Sequence, residues 1–377
     1  MTLWPWLILI AAYGACVGSF LNVVILRLPA GKSLVHPPSH DPATGERLKW
    51  WENIPIASWL ALRGRSRYTG ERISVQYPLV EAFTMLSFAG LFVAYYYAGW
   101  RPGFFELGWA NTWPAFVVHI TMVACLIAAT VIDAKLFIIP LSIAWTATLT
   151  ALAMPAAVSL GWMPADPRLA SVAGAMGTLA AAGGLLGVAI SVALLWTGVI
   201  PRSFEEDPEH PESDDPETFV AHPAARREVL KEFVFLLPPM LGILGGAIWG
   251  DAMAWQPTGG AAVLGGTGLG YLVGGGLIWG TRVLGTLAFG KEAMGLGDVH
   301  LLAAVGAVLG AQDATFVYFF APFFGLLGAA ITAGVAAMAT GRTRVIPYGP
   351  YLAAAAVALL VLREPVYEIF DTLLLRR

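Results

Sequence analysis

Apolar runs of about 20 residues recur along almost the whole chain, and they constrain its fold more than any other feature. Of the 377 residues, 57% are hydrophobic and only 12% are charged. A soluble domain usually carries about a quarter charged residues, so a soluble fold is excluded. The pattern predicts an all-α polytopic membrane protein with about 8–10 transmembrane helices, whose partner is the lipid bilayer.

The apolar runs also give approximate bounds for ten helices. These lie near 3–27, 79–98, 114–133, 139–160, 169–200, 233–250, 259–287, 299–311, 314–340 and 348–363. The first run has no basic segment before it, so we interpret it as a retained helix rather than a cleaved signal peptide.

Lysine and arginine are concentrated in alternate connections, which orients the predicted helices because cytoplasmic loops are enriched in these residues. The segment 27–78 is strongly basic, so we expect it in the cytoplasm and the N-terminus outside. The exceptions, which fall on the outer side, are Arg101, Arg168, Arg363, Arg376 and Arg377.

This topology predicts five regions. They are a first helix (1–28), a small cytoplasmic subdomain (29–78), helices carrying Asp133 (79–160), an insertion with extra helices (161–258) and helices carrying Asp298 (259–377). Within the insertion, 203–219 is rich in acids and proline, and we expect it to be a disordered loop.

Two acids stand at helix ends predicted to lie on the same, cytoplasmic side: Asp133 in "VIDAKLFIIP" and Asp298 in "AMGLGDVH". Charged groups inside membrane spans are costly, so each needs a reason. Taken alone, Asp298 is explained as a helix N-cap, and Asp133 as a solvated group or a partner of Lys135.

Together the two acids suggest a reaction. Two carboxylates placed close together share one proton. The ionised acid can then activate water, while the protonated acid polarises a carbonyl and later donates a proton to the leaving amine. Gly295 and Gly297 would let a backbone or a substrate strand approach closely.

Five segments in this order resemble the prepilin peptidase family of membrane aspartyl proteases. They are "GACVGSFLNVVILRLP" (14–29), "WWENIPIASWLALRGRSRYTGERISVQYPLVE" (50–81), "VIDAKLFIIP" (131–140), "GKEAMGLGDVHLLAAVGAVLG" (290–310) and "RVIPYGPYLA" (344–353). The resemblance implies Asp133 and Asp298 as the catalytic pair of a GxGD-type protease. It implies prepilin or pseudopilin substrates of type IV pili and type II secretion, and no nucleic-acid partner. It also implies the bacterial inner membrane, with the N-terminus in the periplasm and the active site facing the cytoplasm.

The resemblance implies a methylation step as well, with S-adenosylmethionine as donor if that activity is retained. Many family members bind zinc through two CxxC pairs in the cytoplasmic loop. This chain has no cysteine there, so zinc is not expected, and no metal is expected for proteolysis. We expect packing of Trp50, Trp51, Ile54, Pro55 and Trp59 to hold the loop instead.

His300 stands where the family commonly has lysine. We name it as a supporting residue beside Gly295 and Gly297, although an ordinary polar position on the helix is the favoured explanation. The main alternative function is an ion- or proton-coupled transporter, which would place its acids nearer the bilayer midplane. A presenilin-type protease would share the GxGD element but not the basic loop.

Overall fold

The computed structural model describes residues 3–40, 44–101, 103–204, 224–339 and 347–375. Short 3₁₀ turns lie at Trp50–Asn53 and Phe105–Leu107. The described α-helices are α1 (Trp4–Arg27), α2 (Ala57–Ala61), α3 (Gln76–Tyr96), α4 (Trp109–Leu136), α5 (Leu141–Ala151), α6 (Ala153–Ser159), α7 (Pro167–Trp196), α8 (Ala225–Ala252), α9 (Gly259–Phe289), α10 (Leu296–Leu309), α11 (Ala311–Ala339) and α12 (Gly349–Leu375).

Within this described part, eight helical segments are long and apolar enough to cross a membrane, with α5 and α6 together forming one of them. The predicted all-α polytopic membrane fold is confirmed. Two of the ten predicted helices are not among the eight. The helix expected at 299–311 is α10, which has only 14 residues, and the one expected at 348–363 is α12, which continues through charged residues to Leu375.

Several predicted bounds are wrong for identifiable reasons. The helix expected at 139–160 is interrupted at Leu152, because Pro155 lacks an N–H and cannot continue the hydrogen-bonding pattern. In α12, Pro365 has the same effect on the backbone at Leu362. The helix expected at 233–250 begins eight residues earlier, at Ala225, because its first two turns are charged and an apolar pattern does not include them.

α10 lies at the centre of the bundle, where it packs against α4, α5, α9, α11 and α12. Its contact with α9 is close enough to require glycine: a Cβ at Gly270 would lie 2.0 Å from the carbonyl oxygen of Gly306. The glycine-rich stretch 241–287 thus allows close helix packing, as is common in membrane bundles.

The outer arginines that break the charge rule are explained by a buried ion cluster around Asp313 in α11. Arg363 donates through Nε to both carboxylate oxygens of Asp313 at 2.9 Å, and Arg101 lies 3.7 Å from the same carboxylate. Arg168 pairs with Glu364. These charges are neutralised inside the protein, so they do not report the side of the membrane. Arg376, Arg377 and nearly all of the predicted acidic loop 203–219 lie outside the described residues.

The segment between α1 and α3 contains two short antiparallel bridges, His40 with Arg47 and Arg65 with Arg72. The prediction that Trp50, Trp51 and Ile54 pack this segment is wrong, because all three are exposed.

Hydrogen bonds hold the loop instead. Glu52 accepts from the backbone N–H of Lys49 at 2.9 Å and from the hydroxyl of Tyr68 at 2.8 Å. The Trp59 ring packs on Gly64, and its indole N–H donates to the carbonyl of Ile73 at 3.3 Å.

Candidate active site

Asp133 lies in the last turn of α4, where its side chain is buried. Its Oδ2 accepts a hydrogen bond of 3.0 Å from the backbone N–H of Gly349, the first residue of α12. Lys135 donates to Gln76 rather than to Asp133. Both simple explanations of Asp133, solvation and pairing with Lys135, are therefore wrong. A helix start with free N–H groups stabilises the carboxylate instead.

Asp298 lies in the first turn of α10 and is also buried. The N-cap of this helix is Gly295, so Asp298 is the third helical residue and the N-cap explanation is wrong. Its Oδ1 is buried and has no hydrogen-bond partner among the described residues. A buried carboxylate oxygen without a donor is unusual and suggests a group kept for chemistry rather than for stability.

The structure brings these two acids together. α4 and α10 pack against each other and both contact α12, and the charge of Asp133 acts directly on the carboxyl group of Asp298. The side chain of Tyr348, just before α12, also interacts with Asp298. Two carboxyl groups that interact inside a protein titrate as a pair and can share one proton.

The two glycines of the GxGD motif differ in their surroundings. A Cβ at Gly297 would lie 2.8 Å from Cβ of Ile139, so the chain that follows α4 does approach α10 at this point. A Cβ at Gly295 would meet only ordinary contacts, 3.6 Å from Oδ2 of Asp298. Gly297 thus joins the two aspartate segments by close packing, while Gly295 leaves space beside Asp298.

His300 follows Asp298 by two residues on α10 and is partly buried. Residues two apart on a helix point to different sides, so this side chain does not lie beside the Asp298 carboxyl group. The support that His300 was predicted to give the pair stays a prediction.

A zinc site does not fit the loop. No group of three or more His, Cys, Asp or Glu side chains that could hold a metal occurs among the described residues. His40 uses Nδ1 to contact the carbonyl of Pro38 at 2.9 Å, and the cysteines of the chain, Cys16 and Cys125, lie in α1 and α4.

A large cavity lies between this loop, α1 and α3. Its volume is about 750 Å³, within the range of small-molecule sites. Asn22, Trp59, Tyr68 and Glu81 are among its lining residues. Glu81 is buried and accepts the Ile56 N–H at 2.6 Å, and the buried Oδ1 of Asn22 has no partner among the described residues. The cavity therefore combines acidic, amide and aromatic groups.

The helices and the interacting aspartates define a polytopic α-helical membrane protein with a buried carboxylate pair. Comparison with known proteins narrows this class. The Bacterial Peptidase A24 N-terminal domain matches residues 12–95, which include the second part of α1, the loop and nearly all of α3. No solved structure matches the chain.

Three relatives illustrate the similarity. A prepilin leader peptidase/N-methyltransferase of Xanthomonas campestris pv. campestris is 37% identical over 50% of this chain and 62% of the relative. A protein of the same description from Myxococcus xanthus is 43% identical over 37% of this chain and 38% of the relative. A type 4 prepilin-like proteins leader peptide-processing enzyme of Escherichia coli O78:H11 is 24% identical over 93% of this chain and 91% of the relative.

These findings support the resemblance to the prepilin peptidase family. The family resemblance found in five sequence segments is thereby confirmed. In the Xanthomonas and Myxococcus relatives the match covers less than two thirds of the relative's length. The transporter alternative receives no support.

Sequence reasoning missed two features of this site. The first is the backbone N–H of Gly349, which lies 216 residues from Asp133 along the chain. The Gly-Pro pair of "PYGPYLA" was an available indication, because proline is favoured in the first turn of a helix and marks where free N–H groups occur. The second is Arg282, a buried arginine of α9. A charge inside an apolar run indicates that an acidic partner lies nearby.

Proposed function

We propose that this protein is a membrane aspartic endopeptidase that cleaves the leader peptides of type IV prepilins or related pseudopilins at the cytoplasmic face of the bacterial inner membrane. The observation that carries the proposal is the pair of buried, interacting carboxyl groups of Asp133 and Asp298 at neighbouring helix ends. The names of the relatives, which describe prepilin leader peptidases, supply the substrate class.

Within the pair, we assign the charge to Asp133. Its Oδ2 accepts the Gly349 N–H at the start of α12, and a hydrogen bond to a charged group contributes about 1.5–3 kcal/mol. The carboxyl group of Asp298 has the backbone N–H of Gly295 and the first turn of α10 beside it, and the helix start contributes about 0.3–1 kcal/mol to a charge. Its Oδ1, however, is buried and has no donor among the described residues. Asp298 is therefore the acid that holds the shared proton.

Hydrolysis by this pair moves one proton through each acid. Asp133 takes a proton from water while the water oxygen bonds to the scissile carbonyl carbon and Asp298 gives its proton to the carbonyl oxygen. When the tetrahedral intermediate collapses, the C–N bond breaks and the leaving nitrogen takes the proton held by Asp133. Asp298 recovers a proton from the hydroxyl that becomes a carbonyl again, which restores the starting pair.

Methylation of the new N-terminus is a second candidate activity, favoured by the cavity beside the loop. S-adenosylmethionine, when bound, supplies an electrophilic methyl group on a cationic sulfur. The residues fit such a donor: the carboxylate of Glu81 complements the positive charge, the ring of Trp59 offers an aromatic face, and Oδ1 of Asn22 needs a donor. These groups would bind and orient the donor.

Co-expression with prepilins from the same source, followed by mass spectrometry of their N-termini, tests both activities. We expect mature pilins that lack the short basic leader, and a single added methyl group if the second activity is retained. Precursors identical to those from cells without this protein would contradict the peptidase proposal. Cleaved but unmethylated pilins would contradict only the second.

A further inference from the structure

The inserted helix α8 carries a buried acid, Glu232, that takes no part in the proposed reaction. Glu232 accepts from Nε of Arg282 in α9, with distances of 3.0 and 3.2 Å to its two oxygens. The indole N–H of Trp279 donates to the same carboxylate at 2.6 Å. Burial of a charged pair in a membrane protein is costly, so a network this complete calls for a function.

Arg282 uses the other end of its guanidinium group on the chain that leads into α10. Its Nη1 donates to the backbone carbonyl of Met294 and to the carboxylate of Glu292. Met294 directly precedes Gly295, the N-cap of α10, and Asp298 follows within the first turn of that helix. A planar guanidinium group with several fixed donors is suited to hold two partners at a set distance.

A second contact from α8 acts on the same connection. Arg226, in the first turn of α8, donates through Nε to the carbonyl of Leu287 at 3.0 Å and through Nη2 to that of Ala288 at 3.3 Å. These carbonyls belong to the last turn of α9, where unpaired carbonyl groups need donors. The insertion therefore fastens both the end of α9 and the turn that follows it.

We propose that Glu232 and Arg282 position Asp298 by holding the Met294 carbonyl at the start of the GxGD turn (residues 295–298). Glu232 keeps the guanidinium group in place, and the guanidinium group fixes the backbone from which α10 begins. Both are positioning residues, since neither touches the reacting acids. This inference rests on the proposed peptidase function and gives the insertion a role in it.

The test compares Glu232→Gln with Glu228→Gln in the full-length protein in detergent or lipid. Glu228 lies one turn earlier on α8, where it contacts Lys231 and the Phe204 backbone. The first measurement is hydrogen–deuterium exchange. For Glu232→Gln we expect exchange of the amides in 290–298 to rise about tenfold or more, because a charge-assisted bond is lost. Glu228→Gln should leave these amides unchanged.

The second measurement is the kinetics of prepilin cleavage. For Glu232→Gln we expect kcat to fall about tenfold with KM unchanged, and the pH–rate profile to shift, because one acid of the pair moves relative to the other. A purely structural role would reduce the amount of active protein without changing the profile. If Glu232→Gln does not accumulate in membranes, Trp279→Phe removes one donor to Glu232 and serves as the milder variant.

These measurements distinguish failure of the positioning role from failure of the proposed peptidase function. Unchanged exchange in 290–298 for the Glu232 or Trp279 variant would overturn the positioning role whether or not the parent cleaves prepilins. If the parent protein cleaves no prepilin but the variants exchange faster, the proposed function is contradicted. The positioning of residues 290–298 by Glu232 and Arg282 would still stand. An unchanged kcat and pH profile, in a parent that does cleave, would also overturn this inference.

Discussion

Replacing Gly349 with alanine should strongly reduce cleavage without weakening the helix in which it lies. A Cβ at this position would lie 2.7 Å from Oδ2 of Asp133 and 3.0 Å from Cδ1 of Ile139. Ordinary contacts of a Cβ begin near 3.4 Å, so the carboxylate must move away. That movement lengthens the 3.0 Å hydrogen bond from the Gly349 N–H. Losing a bond to a charged group costs about 1.5–3 kcal/mol, which is about 10- to 100-fold in kcat.

The assay is the steady-state cleavage of a prepilin-like substrate by purified protein, with kcat and KM measured separately. We expect the loss in kcat, because Gly349 contacts Asp133, one acid of the pair. Gly276→Ala is the matched control, since a Cβ there meets nothing within 4 Å. Gly349 begins α12 without a positive φ, so alanine fits its backbone and poor folding would not be the expected cause of a loss. A Gly349→Ala protein with the parent kcat would refute the anchoring of Asp133 by α12.

Three further predictions address stability, pH and metal. Asp313→Asn leaves Arg363 and Arg101 buried without the carboxylate that they share. We therefore expect the free energy of unfolding to fall by about 3 kcal/mol or more, with a lower Tm in detergent. Asp251→Asn, at an exposed aspartate, is the control. Hydrogen bonds from the Lys49 N–H and Tyr68, together with the charge of Arg67, hold the pKa of Glu52 below its usual value. The loop should therefore resist limited proteolysis above about pH 4 and become susceptible as the pH falls below that value. Removing metals with EDTA should change neither the proteolysis pattern nor the cleavage rate, because the residues of the loop do not fit a zinc site.

Each of these predictions has a clear contrary result. Equal Tm values for the Asp313 and Asp251 variants would show that the ion cluster does not stabilise the bundle. A loop equally resistant to proteolysis at pH 3 and pH 7 would show that the ionised carboxylate of Glu52 does not stabilise it. Loss of loop structure with EDTA, restored by zinc, would show a metal site that the described residues do not reveal.

Apolar runs and short motifs were sufficient to predict the helical membrane fold and the aspartates worth testing. The length of a run reports a membrane span well, because the thickness of the bilayer sets it. Charged turns and internal prolines are invisible to that rule. This is why α8 begins earlier than predicted and the helix expected at 139–160 is interrupted.

Contacts between distant segments could not be predicted in the same way. The bond from Gly349 to Asp133 joins residues 216 positions apart, and the pair of Arg282 and Glu232 joins residues 50 apart. One sequence gives no pairing information for such contacts. Arg363 shows the same limit: as a lone charge it seemed to break the orientation rule, whereas in the structure Asp313 neutralises it.

The most direct test of the central proposal is the cleavage of a prepilin-like substrate by Asp133→Asn and Asp298→Asn proteins, each compared with the parent at equal membrane levels. Asparagine keeps the shape of the side chain but cannot exchange a proton at these positions. The paired-carboxylate account predicts that both variants insert normally and leave the precursor uncut, while Asp251→Asn, at an exposed aspartate, cleaves at the parent rate. Cleavage at the parent rate by either the Asp133 or the Asp298 variant would contradict it.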